Sequence, residues 1–470
     1  MKVNKINNTL KAVTTAFLLT SLFSCESPDM DKGVTYDKGL LNFFVKIPGE
    51  STEYGATRTG PYNDGDTLYI KVPTTEESPL DITRLTAYAS LENNCYIHPA
   101  LTGETDFSHP LQIHVTDGVG IQRTHYIKIL PTPPKTSFKK LWFKNSAELS
   151  LTHPYISGIA AHGNNLYVHD ADIWSAADGI RVYDKMSGEL KKTIPSPTTF
   201  TMQVKTDDAG HIIVNRYNEY GAGFVVYYYE DENSAAKEIL NYTAGAGCPA
   251  LLGRKMSVTG NLKEGKAYIY TTAPETMEFY YWEFNNGVPV KTIPEKVRYA
   301  NAQENWAYAS VKRESIADDA NHFITYCIYD ANDGTALAKG SRFEIFPPSM
   351  DITRMNPKNN LYKIFDFDVF TIQGDQFLVT LEQGFWAWDG VVMKVFEITD
   401  RNNLNLVPDD AVYAQFKLLE SDVYGEVNYN KWGDVAAVTD GYDVYLYASI
   451  ACGAADKAGI LAYKMTYFPQ

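Results

Sequence analysis

The sequence predicts an all-β chain in which a small N-terminal β-sandwich is followed by a six-bladed β-propeller. Three observations support this fold class. Strand-like segments recur about every 55 residues in the long C-terminal part, a non-repeating set of short alternating runs precedes them, and the repeats lack the 3.6-residue periodicity of helical solenoids. A chain of 470 residues is also too long for one ordinary core, so we expect more than one domain.

Residues 1–24 are predicted to be a lipoprotein signal peptide. Three lysines precede the apolar run at residues 12–23, which is too short to span a bilayer. The run ends in LFSC (residues 22–25), which resembles the lipobox of bacterial lipoproteins, whose cysteine becomes the lipidated first residue. This motif predicts lipidation at Cys25. The alternative is a plain secretory signal in which Cys25 is incidental.

Residues 25–33 are predicted to be a tether. The acidic run ESPDMDKG behind Cys25 resembles the signal that sends lipoproteins of glycan-degrading Bacteroidota to the cell surface. No later stretch offers eighteen consecutive apolar residues. We therefore expect a chain anchored by lipid to the outer membrane and facing outside the cell, with no other contact with the membrane.

Residues 34–130 are predicted to form the β-sandwich. They contain short alternating runs separated by Gly, Pro and Asp turns, a pattern typical of such a domain, at residues 40–45, 67–72, 85–91, 111–116 and 124–129. The proline-rich segment at residues 131–137 is predicted to be a stiff, extended linker.

Residues 138–470 are predicted to form the six-bladed propeller. The phrase DDAGHIIVN (residues 207–215) is nearly repeated as DDANHFITY (residues 318–326), and four more turn-and-strand segments fit the same frame. Six such units predict six blades. The segment at residues 207–215 is then predicted to form the inner hairpin of one blade, and its near-repeat the same hairpin two blades later. The sixth unit lacks its outer strand, so the spare strand KLWFK (residues 140–144) is predicted to complete it.

The leader resembles a known family. DITRLTAYASL (residues 81–91) and DFSHPLQIHVTDGVGIQRTHYIKI (residues 106–129) look like the Ig-like leader domain of many Bacteroidota surface lipoproteins. With a propeller behind it, the chain resembles a lipoprotein family of unknown function, with relatives among polysaccharide-utilisation proteins and adhesins. The resemblance implies an Ig-like fold for the sandwich and a surface setting, and it supplies no catalytic residues.

The net negative charge of the chain argues against partners that are themselves negatively charged. Lys and Arg number 42 against 57 Asp and Glu, and removing residues 1–24 takes away three lysines and no acids, leaving 42 − 3 = 39 bases against 57 acids. So acidic a chain disfavours nucleic acid and anionic membrane surfaces as partners. The cysteines other than Cys25 are isolated in sequence and are interpreted as small buried residues.

Aromatic and polar residues cluster in the loops predicted to share one face of the propeller. Sugar rings stack on aromatic planes, and their hydroxyls pair with Asp, Arg and Asn, so these residues are candidate ligand-binding groups. The alternative for each aromatic residue is packing between blades. The candidates are Asp170, Asp172, Trp174, Arg216, Tyr217, Asn218, Tyr220, Trp306, Trp386, Trp388 and Asp389.

No cofactor, metal site or catalytic residue is predicted. His169 and the aspartates after it lack the spacing of a calcium loop, and no HExxH, GxSxG or phosphate loop is present. The sequence therefore favours a non-catalytic surface protein that binds a polysaccharide or oligosaccharide through the propeller loops. The alternative is an adhesion or protein-interaction module, and a carbohydrate-active hydrolase or lyase is the third hypothesis.

Overall fold

The computed structural model describes residues 39–469, apart from 51, 75–78, 171–177, 275, 299–305, 329–340, 350, 360–362, 385–388, 411 and 427–432. The chain forms two compact units, Met1–Pro133 and Pro134–Gln470. Both are built from small β-sheets, as the all-β prediction requires. In the described part of the chain, no helix is long and apolar enough to cross a membrane.

In the part of the first unit that the structure describes, there are two four-stranded sheets. Its strands are β1 (Leu40–Lys46), β2 (Glu53–Gly55), β3 (Thr67–Pro73), β4 (Leu85–Leu91), β5 (Tyr96–His98), β6 (Glu104–Thr105), β7 (Leu111–Thr116) and β8 (Gln122–Thr132). The sheet orders are β2–β1–β4–β6 and β3–β8–β7–β5, and all pairs are antiparallel except β3 with β8. Phe43 and Val45 of one sheet share a core with Ile70, Ile113 and Ile127 of the other.

Alternation of side chains explains these strands. In β3, Leu68, Ile70 and Val72 are buried while the residues between them are exposed, as expected for a sheet with one wet face. Strand β8 is longer than predicted and takes up part of the proline-rich segment. Strand β7 pairs with β8 only as far as Ile127. Pro131, which has no backbone N–H, therefore lies beyond the part of β8 that bonds to β7. Only residues 133–135 separate β8 from the next strand.

The described residues of the second unit form six sheets, numbered here in chain order. Sheet one comprises β10 (Ile159–His162), β11 (Asn165–His169), β12 (Ile180–Asp184) and β13 (Leu190–Ile194). Sheet two comprises β14 (Thr201–Thr206), β15 (Ile212–Arg216), β16 (Phe224–Tyr229) and β17 (Lys237–Tyr242). Sheet three comprises β18 (Met256–Gly260), β19 (Lys266–Thr272), β20 (Glu278–Asn285), β21 (Val288–Pro289) and β22 (Glu295–Arg298), the last two both pairing with β20.

Sheets four to six follow the same plan. Sheet four comprises β23 (Trp306–Arg313), β24 (His322–Ile328), β25 (Ser341–Phe346) and β26 (Thr353–Arg354). Sheet five comprises β27 (Lys363–Ile372), β28 (Asp375–Gln383), β29 (Val391–Glu397) and β30 (Lys417–Glu420), with the short helix α1 (Tyr413–Phe416) leading into β30. Sheet six comprises β31 (Val435–Asp440), β32 (Asp443–Ile450), β33 (Gly459–Tyr467) and β9 (Thr136–Asn145). Short 3₁₀ turns occupy Ala244–Ala246, Pro357–Asn359 and Arg401–Asn405.

Neighbouring sheets pack face to face. Among the described residues, one apolar cluster lies between each consecutive pair of sheets, and a further cluster lies between sheets six and one. The first strands also contact each other in chain order, and β31 of sheet six contacts β10 of sheet one. This packing explains why second strands such as β28 are buried on nearly every residue: both of their faces meet a neighbouring sheet.

Strand β9 closes sheet six, which confirms that the spare strand pairs there. It runs antiparallel to β33 from Thr136 to Asn145. Its side chains also reach both neighbouring sheets. Trp142 Nε1 donates to the carbonyl of Met186 at 2.7 Å in sheet one, and the Lys140 ammonium lies 5.1 Å from the ring of Tyr424 beside sheet five.

The repeated phrase lies in corresponding turns, as predicted. DDAGH connects β14 to β15 in sheet two, and DDANH connects β23 to β24 in sheet four. Asp207 organises the first turn: its carboxylate accepts hydrogen bonds from the backbone N–H groups of Ala209, His211 and Leu262. The two copies are thus turn formers two sheets apart.

Candidate functional site

The loops of the second unit group at two ends. Neighbouring first strands run in the same direction, because Ser257 Oγ donates to Val311 O at 2.6 Å and Thr259 Oγ1 donates to Arg313 O at 3.0 Å, two residues further along both strands. We call the end at which the first strands begin the front end. Since strands alternate in direction within a sheet, the loops between second and third strands also lie there. The back end carries the turns between first and second strands.

Asp170 directly follows β11, the second strand of sheet one, and is buried. Its carboxylate accepts hydrogen bonds from the backbone N–H groups of Thr152 and His153, and it pairs with Arg181 Nε at 2.7 Å. These contacts tie the segment before β10 to the loop after β11. Asp170 thus has a structural role in place of the predicted contact with ligand, because its oxygens are occupied and shielded from solvent.

Arg216 is the last residue of β15, the second strand of sheet two, and Tyr217 follows it. The Arg216 guanidinium is partly buried and donates to the carbonyl of Ala222 in its own loop. Tyr217 is buried edge-on against Phe200, with ring centroids 6.5 Å apart. Burial, followed by a hydrogen bond to Glu219, raises the pKa of the Tyr217 hydroxyl. Both residues support the loop, and the structure gives Tyr217 the packing role that the sequence left open.

The loop after Tyr217 presents Tyr220 to solvent. Buried Asn218 fixes the base of this loop, accepting from Gly223 N at 2.7 Å and donating to Pro249 O at 2.7 Å in the segment before β18. Tyr220 then adopts φ 48°, in the left-handed region, and its side chain is 81% exposed. The positive charge of Arg254 acts on the Tyr217 hydroxyl and partly offsets the rise in its pKa. An exposed aromatic ring, a carboxylate and a guanidinium thus share this corner of the front end, which we call the Tyr220 corner (Tyr217, Glu219, Tyr220 and Arg254).

Of the other predicted site residues, Asp389 and Trp306 are described and the rest are not. Asp389 is half-buried, and its side chain lies so close to Gly384 that a Cβ on that glycine would be 2.7 Å from Asp389 Oδ2. The backbone of Trp306 begins β23, paired with Ile328. Asp172, Trp174, Trp386, Trp388 and the predicted lipidation site Cys25 lie outside the described residues.

A buried charge cluster, which the sequence reasoning missed, lies among the first strands. Lys205 Nζ lies 2.7 Å from both carboxylate oxygens of Asp434, and Lys255 Nζ lies 2.7 Å from Asp366 Oδ2. The four side chains come from sheets two, six, three and five. Asp434 also accepts from Ile159 N of sheet one at 2.9 Å, so the cluster joins five sheets.

The two carboxyl groups of the cluster have opposite tendencies to ionise. Burial raises the pKa of Asp434 to about 7, despite the attraction of Lys205. Burial also opposes ionisation of Asp366, but the charge of Lys255 and a hydrogen bond with Asp434 lower the pKa of Asp366 below its ordinary value. The pair therefore retains one proton, on Asp434, in weakly acidic solution.

A cavity of about 720 Å³ extends from this cluster to the back end. It is lined by all six first strands and by the turns that follow several of them. Lys312 and Asp368 form an ion pair halfway along its wall, and Asp368 Oδ2 also accepts from Ala437 N of sheet six at 3.0 Å. The cavity wall is therefore polar and carries both signs of charge.

No group of three His, Cys, Asp or Glu side chains suited to a metal ion occurs in the described residues. The buried charge cluster could have been suspected from one signal. Lys255 stands directly before Met256 and Val258 of a first strand, where a small turn residue is expected instead. Nothing in the sequence indicated that charges on separate repeats would meet, because their pairing depends on the packing of all the sheets.

Comparison with protein families gives one match. Residues 151–454 match the profile of a domain of unknown function (DUF8500). No curated protein matches the chain.

Several solved structures are similar to this chain. A DUF4623 family protein from Bacteroides eggerthii DSM 20697 is similar over 92% of this chain and 98% of its own, with a TM-score of 0.50 and 13% identity. A protein of unknown function from Dyadobacter fermentans DSM 18053 is similar over 71% of this chain and 100% of its own, with a TM-score of 0.45 and 8% identity. The WD40 repeats of RRP9 match 70% of this chain and 97% of their own, with a TM-score of 0.41 and 8% identity.

Proposed function

The chain belongs to the DUF8500 family, and we propose that it is a non-catalytic surface lipoprotein that binds glycan through the front end of its second unit. In this proposal the first unit is an Ig-like domain that holds the second unit away from the outer membrane, and Cys25 carries the lipid anchor. The second unit is a six-bladed β-propeller. The packing of sheet six on sheet one, in addition to each consecutive pair, supports that architecture.

The single observation that carries the binding proposal is the exposure of Tyr220 in a loop that is otherwise fixed. An aromatic ring that is 81% exposed offers a flat apolar surface to the C–H face of a sugar. Glu219 and Arg254, which act on the Tyr217 hydroxyl, add a carboxylate and a guanidinium to this corner, and sugar hydroxyls form hydrogen bonds with such groups. The loop is held by Asn218, so little conformational entropy is lost when a ligand binds.

Affinity electrophoresis tests this proposal. The purified protein is run in gels that contain neutral plant, fungal or host polysaccharides, and we expect retardation in at least one of them. Tyr220→Ala should reduce the retardation at least about tenfold in apparent affinity, since stacking and exclusion of water are lost together. Trp386→Ala and Trp388→Ala should weaken it as well if the loop of sheet five contributes to the same face.

The matched control is Tyr442→Ala. Tyr442 is 51% exposed, but it lies in the turn between β31 and β32 at the back end. Its removal should leave the retardation unchanged. Equal mobility of the wild-type protein in all gels, with and without polysaccharide, would exclude glycan binding at the front end. Release of reducing ends from any of the polysaccharides would instead indicate an enzyme.

A protein partner is the second candidate function, and one surface feature favours it. Val288, Val290 and Ile293 are all exposed within six residues on the outer hairpin of sheet three. Such a cluster of apolar side chains is typical of contact surfaces between proteins. Binding of the labelled protein to cells that is lost in Val290→Asp and retained in Tyr220→Ala would support adhesion in place of glycan recognition.

A further inference from the structure

The cavity at the back end contains polar groups whose hydrogen-bonding capacity is incompletely used. Ser310 lines the cavity and is only 7% exposed, and its hydroxyl makes no hydrogen bond with any described residue. Its oxygen borders the cavity, where it can both donate to and accept from a molecule that enters.

Two lysines in the same wall retain donor capacity. An ammonium group has three N–H bonds. Lys205 directs its hydrogen bonds to the two oxygens of Asp434, and Lys312 directs its bonds to Asp368 and the carbonyl of Val369. One N–H of each remains for a ligand, and their side chains keep 17% and 29% exposure although they lie inside the unit.

Acceptors alternate with these donors. Asp366 and Asp368 both line the cavity, and each carboxylate oxygen has two lone pairs, of which the observed contacts use only some. A wall that offers ammonium donors, carboxylate acceptors and one hydroxyl within a few residues matches a ligand whose groups both donate and accept. Hydroxyl groups on adjacent carbons have this property.

The charge balance of the cavity narrows the ligand class further. Its lining includes three basic residues, Lys205, Lys312 and Arg313, against five acidic ones, Asp207, Asp208, Glu314, Asp366 and Asp368. This excess of acids opposes an anionic ligand, and the two lysines on the inner wall oppose a compact cation. A neutral ligand is repelled neither by the acidic residues nor by the lysines.

We propose that the back-end cavity is a second binding site, separate from the Tyr220 corner, for a small neutral polyhydroxylated molecule of mono- or disaccharide size. Ser310, Lys312 and Asp368 hold its hydroxyls, and the buried charge cluster closes the inner end of the site. The volume of about 720 Å³ accommodates such a ligand together with ordered water. This site does not depend on glycan binding at the front end.

Isothermal titration calorimetry of the purified protein tests the site. The probes are a panel of neutral mono- and disaccharides, with citrate and spermidine as charged comparators. We expect at least one neutral sugar to bind and both charged comparators to fail. Ser310→Ala and Lys312→Met should each raise the Kd about tenfold or more, because each removes a hydrogen bond to the ligand. Tyr220→Ala should leave this Kd unchanged, which separates the result from that at the front end.

Thiol labelling provides a second measurement that does not require loss of binding. In Ser310→Cys the new thiol should react with a small maleimide through the back end, and saturating sugar should slow that reaction several-fold. The unmodified protein corrects for Cys95, which is the partly exposed cysteine of the described chain. Binding of no neutral sugar, preferential binding of citrate or spermidine, or a Kd unaffected by both Ser310→Ala and Lys312→Met would each overturn the proposal.

Discussion

Asp434 illustrates how one residue couples the sheets of the second unit to pH. It follows Gly433 directly and precedes β31, and it is completely buried between Lys205 and Asp366. Its carboxyl group accepts hydrogen bonds from Ile159 N and Val435 N as well. A change in its ionisation therefore alters the interactions of several sheets at once.

The first prediction concerns the pH dependence that Asp434 introduces. In the folded chain Asp434 keeps its proton up to about pH 7, whereas in the unfolded chain it loses the proton near its ordinary value of 3.8. The folded state binds more protons between these limits, so Asp434 makes the free energy of unfolding fall as pH rises from 4 to 7, by at most about 1.4 kcal/mol per pH unit. Urea unfolding at several pH values should reveal this contribution as the difference between wild type and Asp434→Asn. Parallel curves for the two proteins would contradict it.

The second prediction has the opposite sign and concerns His169. This histidine is buried, with Nε2 2.9 Å from Thr201 Oγ1. Burial, followed by repulsion from His153, lowers the pKa of His169 to about 4. Its stabilising contribution is therefore complete above pH 6.5 and is lost as pH falls from 6.5 through 4.

His169→Gln should show a smaller loss of stability on acidification in that window. The measurement is the same urea series. The control is His98→Gln, which removes an exposed histidine from the first unit and should leave the slope as in the wild type. A full acid-induced loss of stability in His169→Gln would show that another group is responsible.

For single residues, the sequence predicted which residue types occupy the front-end loops but not which of them face solvent. Tyr217 and Tyr220 stand three residues apart, yet one is buried and the other is 81% exposed. The difference arises because Asn218 binds the next segment and the chain turns through a left-handed conformation at Tyr220. The Asn218 contact cannot be inferred from composition, since its partner Pro249 lies 31 positions further along the chain.

At the level of elements, β9 is the most consequential strand. Sequence pattern predicted its partner because sheet six was short of one strand. It did not predict that Trp142 and Lys144 would also bond to the turn that follows β12, through the carbonyls of Met186 and Ser187. The acceptors in those contacts are backbone carbonyls of a tight turn. Sequence patterns do not specify where such carbonyls point.

The third prediction tests this role of β9. Trp142→Ala removes the indole hydrogen bond and the packing on Tyr447, whose ring centroid lies 6.3 Å away. We expect a loss of about 2 kcal/mol in the free energy of unfolding. Leu190→Ala, on the exposed outer strand of sheet one, should change it by less than about 0.5 kcal/mol. Equal effects of the two substitutions in chemical denaturation would refute the role assigned to Trp142.

For the whole molecule, the division into two units predicts where the chain can be cut. The apolar clusters of the second unit are formed by residues after Pro134, including Phe138 and Phe143 of β9. A fragment of residues 134–470 should therefore fold and melt cooperatively without the first unit. A fragment of residues 146–470, which lacks β9, should fail to do so. Circular dichroism with thermal melting distinguishes them, and matching melting curves would argue against the requirement for β9.

The overall plan was the most predictable part of the chain. Six repeats gave six sheets because each repeat contains its own hairpins, and hairpin pairing is local in sequence. The cavity and the buried charge cluster were not predicted, since Lys255 and Asp366 are 111 residues apart and meet only after three sheets have packed. Local patterns specify sheets, whereas the polar interior is a property of the assembled unit.

The pairing of β9 with β33 sets an order of events during biosynthesis. Ser146, just after β9, bonds to Ala458, which is 312 residues later in the chain. While the ribosome is still making the middle sheets, β9 has no partner and sheet six does not exist. The second unit can therefore reach its native state only after nearly all of it has been translated.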